Sequence, residues 1–416
     1  MDRITLLLIA LFLLIGSFGA EGKVLSDTIF TVKDKGVPRF LALNGMGGIV
    51  IPTNEFVQGD RVPFYGSAAI KYGIYSTGDS WEDFAYGMPY YGVGVYTAQF
   101  TKRLGTPVSL FLFHGGDLKR FSPKWSLKYE LNLGMAFNWK SYDRFDNPNN
   151  VALGSTTNAH VGANVYMKKN LSPHWDLNFG LGLTHFSNGA QRLPNKGVNM
   201  FAPFVELVYN LEPVSLSAGS ATGSQKPPFF GKRVDYDLML TITSRQILQD
   251  TTGTGRPTPQ IDRNFKVFGL NYAAMFVSSY KYKWGPSLEL MYDEGSGVQA
   301  WRQMHPDDGK IYDRVKMGSF SKRFSIGLSA KGEMTFQHVS FFANIGYNLL
   351  HGNTYDFRTY QIIGAKAYLK DNLFGVFGIR ATHFSKAQYL YWSIGYTIKG
   401  KAVGNKDKLL NRIVPL

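Results

Sequence analysis

The chain has 416 residues, with 45 Lys and Arg against 30 Asp and Glu, a formal net charge of +15, and no cysteine. The lack of cysteine excludes a disulfide framework, a cysteine metal site and a lipid-anchored lipoprotein, and the charge calls for an anionic partner. Aromatic residues make up 15% of the chain, with 24 Tyr, 31 Phe and 45 Gly, a richness that marks membrane barrels when it comes with alternation.

Residues 1–20, "MDRITLLLIALFLLIGSFGA", have a short charged start, an apolar run from Ile4 to Ile15 and small residues at Gly16, Ser17, Gly19 and Ala20. This reads as a secretory signal peptide cleaved near Gly19 or Ala20, because about a dozen apolar residues are short for a spanning helix. For an exported chain, lipid headgroups or lipopolysaccharide phosphates fit the positive charge better than nucleic acid does. No later apolar run reaches the ~20 residues of a transmembrane helix.

Beyond residue 20 the sequence predicts strands. One set falls near 39–51, 64–76, 90–100, 107–115, 125–139, 157–169, 174–187 and 199–211. The clearest is "LKYELNLGMAFNW" (127–139), with Leu127, Tyr129, Leu131, Leu133, Met135, Phe137 and Trp139 alternating with polar or small residues. Period two places the two sets on opposite faces. The run from Tyr129 to Trp139 extends about 34 Å. Tilted as barrel strands are, it spans the ~25 Å apolar band of an outer-membrane barrel. Sandwich strands are usually shorter, about five or six residues. The stretches 76–89 and 101–107 fit an up-and-down order of short and long connections poorly.

"EPVSLSAGSATGSQKPPFFGKR" (212–233) then reads as a linker or long loop. A second set of strands follows near 235–248, 265–278, 282–294, 324–336, 338–350, 356–370, 373–385 and 387–398, before a basic tail at 401–416. "GANVYMKKNL" (162–171) parallels "GAKAYLKDNL" (364–373), and "THFS" follows each, at 184–187 and 382–385. The chain therefore reads as a duplicated eight-strand unit. The preferred architecture is an all-β, antiparallel outer-membrane barrel of about sixteen strands, with residues 21–211 and 234–400 as its halves. Two tandem eight-stranded barrels are the alternative.

In the strand ending at 187, Trp175, Leu177, Phe179, Leu181 and Leu183 occupy one face, and His185 and Ser187 continue it. The opposite face carries Asp176, Asn178, Gly180, Gly182 and Thr184, with Phe186 as the exception. The polar pair thus faces lipid, near the end from which the longer loop "NGAQRLPNKGV" departs. Side chains two residues apart on a strand lie about 7 Å apart at Cα, within reach of an imidazole–hydroxyl hydrogen bond. Histidine as base on serine makes an alcohol nucleophilic near neutral pH. On the dipeptide alone, an interfacial polar pair where the strand leaves the hydrocarbon is the better explanation, because H-x-S is common by accident.

The longer stretch "HFSNGAQRLPNKGVN" (185–199) resembles the signature of the PagL family of lipid A deacylases, grouped more broadly as acyloxyacyl hydrolases. The matching residues are His185, Ser187, Asn188, Pro194, Asn195 and Gly197, and "NPNNVALGS" (147–155) looks like a further motif of the longer relatives. The resemblance implies an outer-membrane barrel that hydrolyses an ester-linked acyl chain of lipid A or lipopolysaccharide without a cofactor or metal. It implies Ser187 as nucleophile, His185 as general base, and Asn188 in the oxyanion hole with the backbone N–H of Gly189 or Ala190. The family's third triad member is typically a glutamate two residues after the motif glycine, whereas Asn199 stands there. An asparagine can still orient the imidazole, as in Cys-His-Asn enzymes, without stabilising its charge. Glu206 would be a distant fallback. Arg192 and Lys196 in the loop are candidates for substrate phosphates, and Leu181 and Leu183 for acyl chains.

The second copy places His383 and Ser385 on a face with Gly375, Phe377, Ile379 and Ala381, but it has Lys386 in place of Asn188 and no P-N-x-G loop. That copy reads as structural. The competing readings are a porin-like barrel around a polar lumen and a structural barrel with a dead site.

Overall fold

In a computed structural model the protein is described at residues 29–31, 37–51, 64–78, 80–143, 145–213, 215–219, 231–247, 263–307, 309, 311–337, 339–352, 356–370, 372–384 and 386–401. The signal peptide and the basic tail expected from the sequence lie outside these residues. Among the described residues no helix is long and apolar enough to cross a membrane.

Sixteen antiparallel strands form two closed barrels of eight. The first comprises β1 (Arg39–Val50), β2 (Phe64–Tyr75), β3 (Tyr90–Gln99), β4 (Gly105–Ser122), β5 (Trp125–Trp139), β6 (Asn158–Asn170), β7 (Trp175–Ser187) and β8 (Val198–Asn210). The second comprises β9 (Arg233–Arg245), β10 (Phe265–Val277), β11 (Tyr282–Asp293), β12 (Phe324–Phe336), β13 (Val339–His351), β14 (Thr359–Lys370), β15 (Leu373–Thr382) and β16 (Lys386–Ile398). The all-β membrane-barrel expectation holds in its two-barrel form. The single sixteen-strand closure does not occur, because β1 pairs with β8, from Phe40↔Asn210 to Val50↔Met200, and β9 pairs with β16, from Tyr236↔Ile398 to Thr241↔Ser393. Alternation along a strand is identical for either closure, so it carries no record of which strands meet.

The repeated decapeptide falls on β6 and β14, the sixth strand of each barrel. Other departures from the expected elements have local causes. β4 runs on past residue 115, where the expected strand ended, and continues to Ser122 with register shifts after Asp117. The awkward 76–89 stretch holds a one-turn helix, Trp81–Ala85, begun by a capping box between Ser80 and Asp83. From the 212–233 segment, Ser215–Gly219 pairs with Ile29–Thr31 in a short ribbon. A hairpin unforeseen in the sequence, Gln299–Met304 with Ile311–Lys316, rises between β11 and β12.

The outer faces form an apolar belt. Leu43, Val95, Leu110, Leu181 and Val205 are exposed on the first barrel, and Leu240, Ile242, Leu290, Ile345 and Ile394 on the second. Such a belt on a closed sheet suits a hydrocarbon surround, which provides no partner for backbone N–H and C=O groups.

Eight strands leave an interior that side chains can fill. In the first barrel Lys71 lies 2.7 Å from Glu130 and 2.5 Å from Glu206, both buried. Asn178 Nδ2 donates to Glu206 at 2.8 Å, and the Tyr90 and Tyr166 hydroxyls meet at 2.5 Å. In the second barrel Lys366 lies 2.8 Å from Asp237, Arg380 pairs with Glu289, and Arg245 bridges Asp293 at 2.6 Å and Asp356 at 2.7 Å. Removing one partner of a buried ion cluster leaves the rest uncompensated, which costs about 3–5 kcal/mol. Lys71→Met should destabilise the first barrel by about that amount, read as a lowered urea midpoint in refolding from lipid vesicles, and Lys71→Arg should recover most of the loss.

Candidate active site

β7 alternates as its sequence requires. Phe179 and Leu181 are exposed on the outer face, while Asp176, Asn178 and Phe186 are buried on the inner one. His185 and Ser187 therefore project outward, above the apolar stripe that contains Leu181 and Leu183. His185 stands directly opposite Asn199 on β8 and Val161 on β6. Cross-strand pairing thus delivers the third residue, fourteen positions along the chain.

The three side chains form one line of hydrogen bonds. His185 Nδ1 lies 2.6 Å from Asn199 Oδ1, and His185 Nε2 lies 2.8 Å from Ser187 Oγ. An amide oxygen only accepts, so the Nδ1 proton is donated to Asn199. The lone pair then resides on Nε2 and accepts the Ser187 hydroxyl proton. Ser187 and Asn199 are buried, and His185 is half-buried. Glu206 is no partner, since it faces the barrel interior and bonds Lys71 and Asn178.

The loop after Ser187 is shaped by specific requirements. Gly189 and Ala190 both take positive φ, +61° and +62°, turning the chain sharply out of the strand. Gly197 also has positive φ (+76°), and a Cβ there would come within 2.7 Å of His185 Cε1. The motif glycine is therefore both a left-handed turn and the clearance for the imidazole. Arg192 and Lys196 are exposed in the loop.

The 147–155 motif supports this loop from below. Lys196 N–H donates to the Val151 carbonyl at 3.3 Å, and Gly197 N–H to the Ala152 carbonyl at 3.0 Å. Asn150 braces the supporting turn, accepting from the Ala152 and Leu153 N–H groups at 3.1 and 3.3 Å and donating to the Lys140 carbonyl at 2.7 Å. Ala152 and Leu153 are completely buried.

One residue was not assigned a role from the sequence. Asn195 Oδ1 accepts the Asn188 backbone N–H at 3.0 Å, which orients the amide and leaves its buried Nδ2 without a partner. The Asn188 backbone N–H, one natural oxyanion donor, is thereby occupied. A second His–Ser contact, His160 Nδ1 to Ser109 Oγ at 2.8 Å, lies sealed inside the first barrel against Phe111 and Phe186. No substrate ester can reach it without unfolding the barrel. Among the described residues no group of His, Asp or Glu is placed to hold a metal.

Residues 64–207 match the family model "Lipid A 3-O-deacylase (PagL)", and residues 234–400 match "Acyloxyacyl hydrolase, C-terminal domain". The chain belongs to the PagL family. It is the two-domain form, with one family model on each barrel, and membership makes it an outer-membrane hydrolase acting on lipid A. No curated protein matches it. Among solved structures, the siderophore receptor PirA from Acinetobacter baumannii aligns at 8% identity and a TM-score of 0.23, over 84% of this chain and 57% of the receptor. The β-domain of the Bordetella autotransporter BrkA aligns at 10% identity and a TM-score of 0.20, over 88% and 99%. A mutant porin of Rh. blastica aligns at 7% identity and 0.19, over 88% and 99%.

The second barrel of this PagL protein differs where the motif repeats. β15 ends at Thr382 and β16 begins at Lys386, so His383 lies in a turn, not on the apolar face expected for it. His383 and Phe384 take φ of +55° and +57°, as a three-residue connection demands, and the His383 ring packs on Phe357 at 4.8 Å. Ser385 lies outside the described residues.

Gly197→Ala should force both the backbone and His185 to shift. A displacement approaching 1 Å costs on the order of a hundredfold in rate. Lipid A deacylation should fall by at least tenfold, with barrel folding, read from heat-modifiable gel mobility, unchanged.

Proposed function

We propose that the first barrel hydrolyses an ester-linked acyl chain of lipid A by nucleophilic catalysis, with Ser187 as nucleophile, His185 as general base and Asn199 as the residue that orients it. The observation that carries this reading is the Asn199–His185–Ser187 hydrogen-bond line on the outer wall of the barrel. Lipid acyl chains are found only there, so the nucleophile faces its substrate without any pore.

The Ser187 oxygen attacks the ester carbonyl carbon as its proton passes to His185 Nε2. The C–O bond to the sugar then breaks, and His185 returns the proton to the departing sugar oxygen. Water, deprotonated by the same imidazole, attacks the acyl-serine; its C–O bond to Ser187 breaks, the imidazolium returns the proton to the serine oxygen, and a fatty acid is released. Developing charge on the carbonyl oxygen needs a donor, and the buried, unpartnered Asn195 Nδ2 is well suited to that role. A backbone N–H of Gly189 or Ala190 completes the hole, and Asn188 contributes by holding Asn195 in orientation. Arg192 and Lys196 attract the phosphates, and Leu181 and Leu183 line the path of the acyl chain. The second barrel, with its histidine in a turn, is non-catalytic. The filled interiors of both barrels count against a porin.

Mass spectrometry of lipid A after incubation with the refolded protein should show loss of one acyl mass, and Ser187→Ala should abolish that loss. An equal loss with both proteins would place the nucleophile elsewhere. Asn199 holds the imidazolium through a neutral acceptor, and a charged acceptor strengthens such a bond by about 1 kcal/mol. Asn199→Asp should therefore raise kcat about fivefold, whereas a rate unchanged or lowered would remove Asn199 from the line.

A further inference from the structure

The hairpin Gln299–Met304 with Ile311–Lys316 has two unlike faces. Cross-strand register sets Gln299 opposite Lys316, Trp301 opposite Arg314, and Gln303 opposite Tyr312, so all six share one face. All six are exposed, with Trp301 at 43% and Tyr312 at 42%. No acidic residue is among them. The other face is anchored, since Ala300 is buried and Val315 packs with Met317 against Ile247, Phe265 and Val298.

The hairpin rises from the external rim of the second barrel. Its end of that barrel carries the long connections 246–264, 294–323 and 352–358, while the other end has only 278–281, 337–338 and 371–372. Short turns are periplasmic and long loops external in barrels of this kind. At the foot of the hairpin, Tyr292, Phe320 and Phe324 form an aromatic cluster with ring centroids 4.9–6.0 Å apart, and Arg323 donates to the Tyr292 hydroxyl at 3.0 Å. Such a cluster marks the headgroup level of the membrane.

We infer that this face is a docking platform for the headgroup of a phosphorylated glycolipid of the outer leaflet. Arg314 and Lys316 meet its phosphates, and Trp301 and Tyr312 pack on its sugar rings. Charge complementarity selects this occupant: two cations, with no carboxylate among the six residues of this face, stand at the level where such phosphates lie. Arg adds a planar fork matched to phosphate oxygens. Charges alone would serve merely to protect a strand edge, but two half-exposed aromatic rings beside them would work against that purpose. The lipid's identification with lipid A rests on the proposed function; the platform's geometry does not.

The test uses the full chain carrying Ser187→Ala, so that bound lipid is not consumed, in phosphatidylcholine nanodiscs containing bisphosphorylated lipid A, dephosphorylated lipid A or phosphatidylglycerol. Each basic side chain at an anionic surface contributes about fivefold in affinity. Arg314→Gln with Lys316→Gln should weaken binding of bisphosphorylated lipid A about 25-fold, in a salt-dependent manner, and leave the dephosphorylated lipid unaffected. Trp301→Ala should weaken both. Equal affinity with and without the two cations would overturn the platform. An equal loss on phosphatidylglycerol would overturn its commitment to a glycolipid. Deacylation by the Ser187 protein is scored separately, so absent activity with cation-dependent binding would sink the catalytic reading alone.

Discussion

Closure of each eight-strand sheet is the constraint from which the remaining features follow. In hydrocarbon every backbone N–H and C=O must find a partner within the protein, and only the pairing of first strand with last removes the free edges. Eight strands enclose a space that side chains can fill. Lys71, Glu130 and Glu206 fill part of it in one barrel, and Lys366, Asp237 and Glu333 in the other. With the interior committed to these clusters, chemistry on a lipid substrate has to be placed on the outer wall or at the rim.

A site on the outer wall of a strand faces a geometric problem, because hydrocarbon gives no support to a polar side chain. The structure meets it with elements the sheet already has. Register pairs His185 with Asn199 across β7 and β8, and the pleat aligns His185 with Ser187 along β7. The remaining support comes from the rim, where the 147–155 turn holds Gly197 through backbone bonds and Gly197 leaves room for the imidazole. A neutral line of Asn199, His185 and Ser187 suits this position. A carboxylate at the lipid boundary would carry a desolvation penalty that an amide avoids, at the expense of weaker support for the imidazolium.

Much of the fold was legible because a barrel strand states its two faces residue by residue, as Leu127 to Trp139 does. Closure was not legible, since the same alternation serves eight strands or sixteen. Within the candidate site, His185 and Ser187 could be placed because both follow the parity of Leu181 and Leu183. The orphaned amide of Asn195 could not be foreseen, because its direction depends on the Asn188 backbone N–H, which only the folded loop brings near. The same parity argument failed for His383, which the strand no longer reaches: a three-residue connection requires left-handed residues, and that requirement overrides the face a longer strand would have given it.

That contrast shows how two similar barrels diverge in structure at the repeated motif. Both retain the sixth-strand decapeptide and the tetrapeptide that follows it. In the first barrel β7 continues through His185 to Ser187, and the chain leaves in a loop long enough to return Asn195 to the Asn188 backbone and Gly197 to the imidazole. In the second, β15 stops at Thr382, three residues short of the strand needed to carry both groups. Retention of the tetrapeptide therefore does not by itself carry its histidine onto a strand. The strand must run through it to its serine, as β7 does at Ser187, and the loop beyond must be long enough to come back.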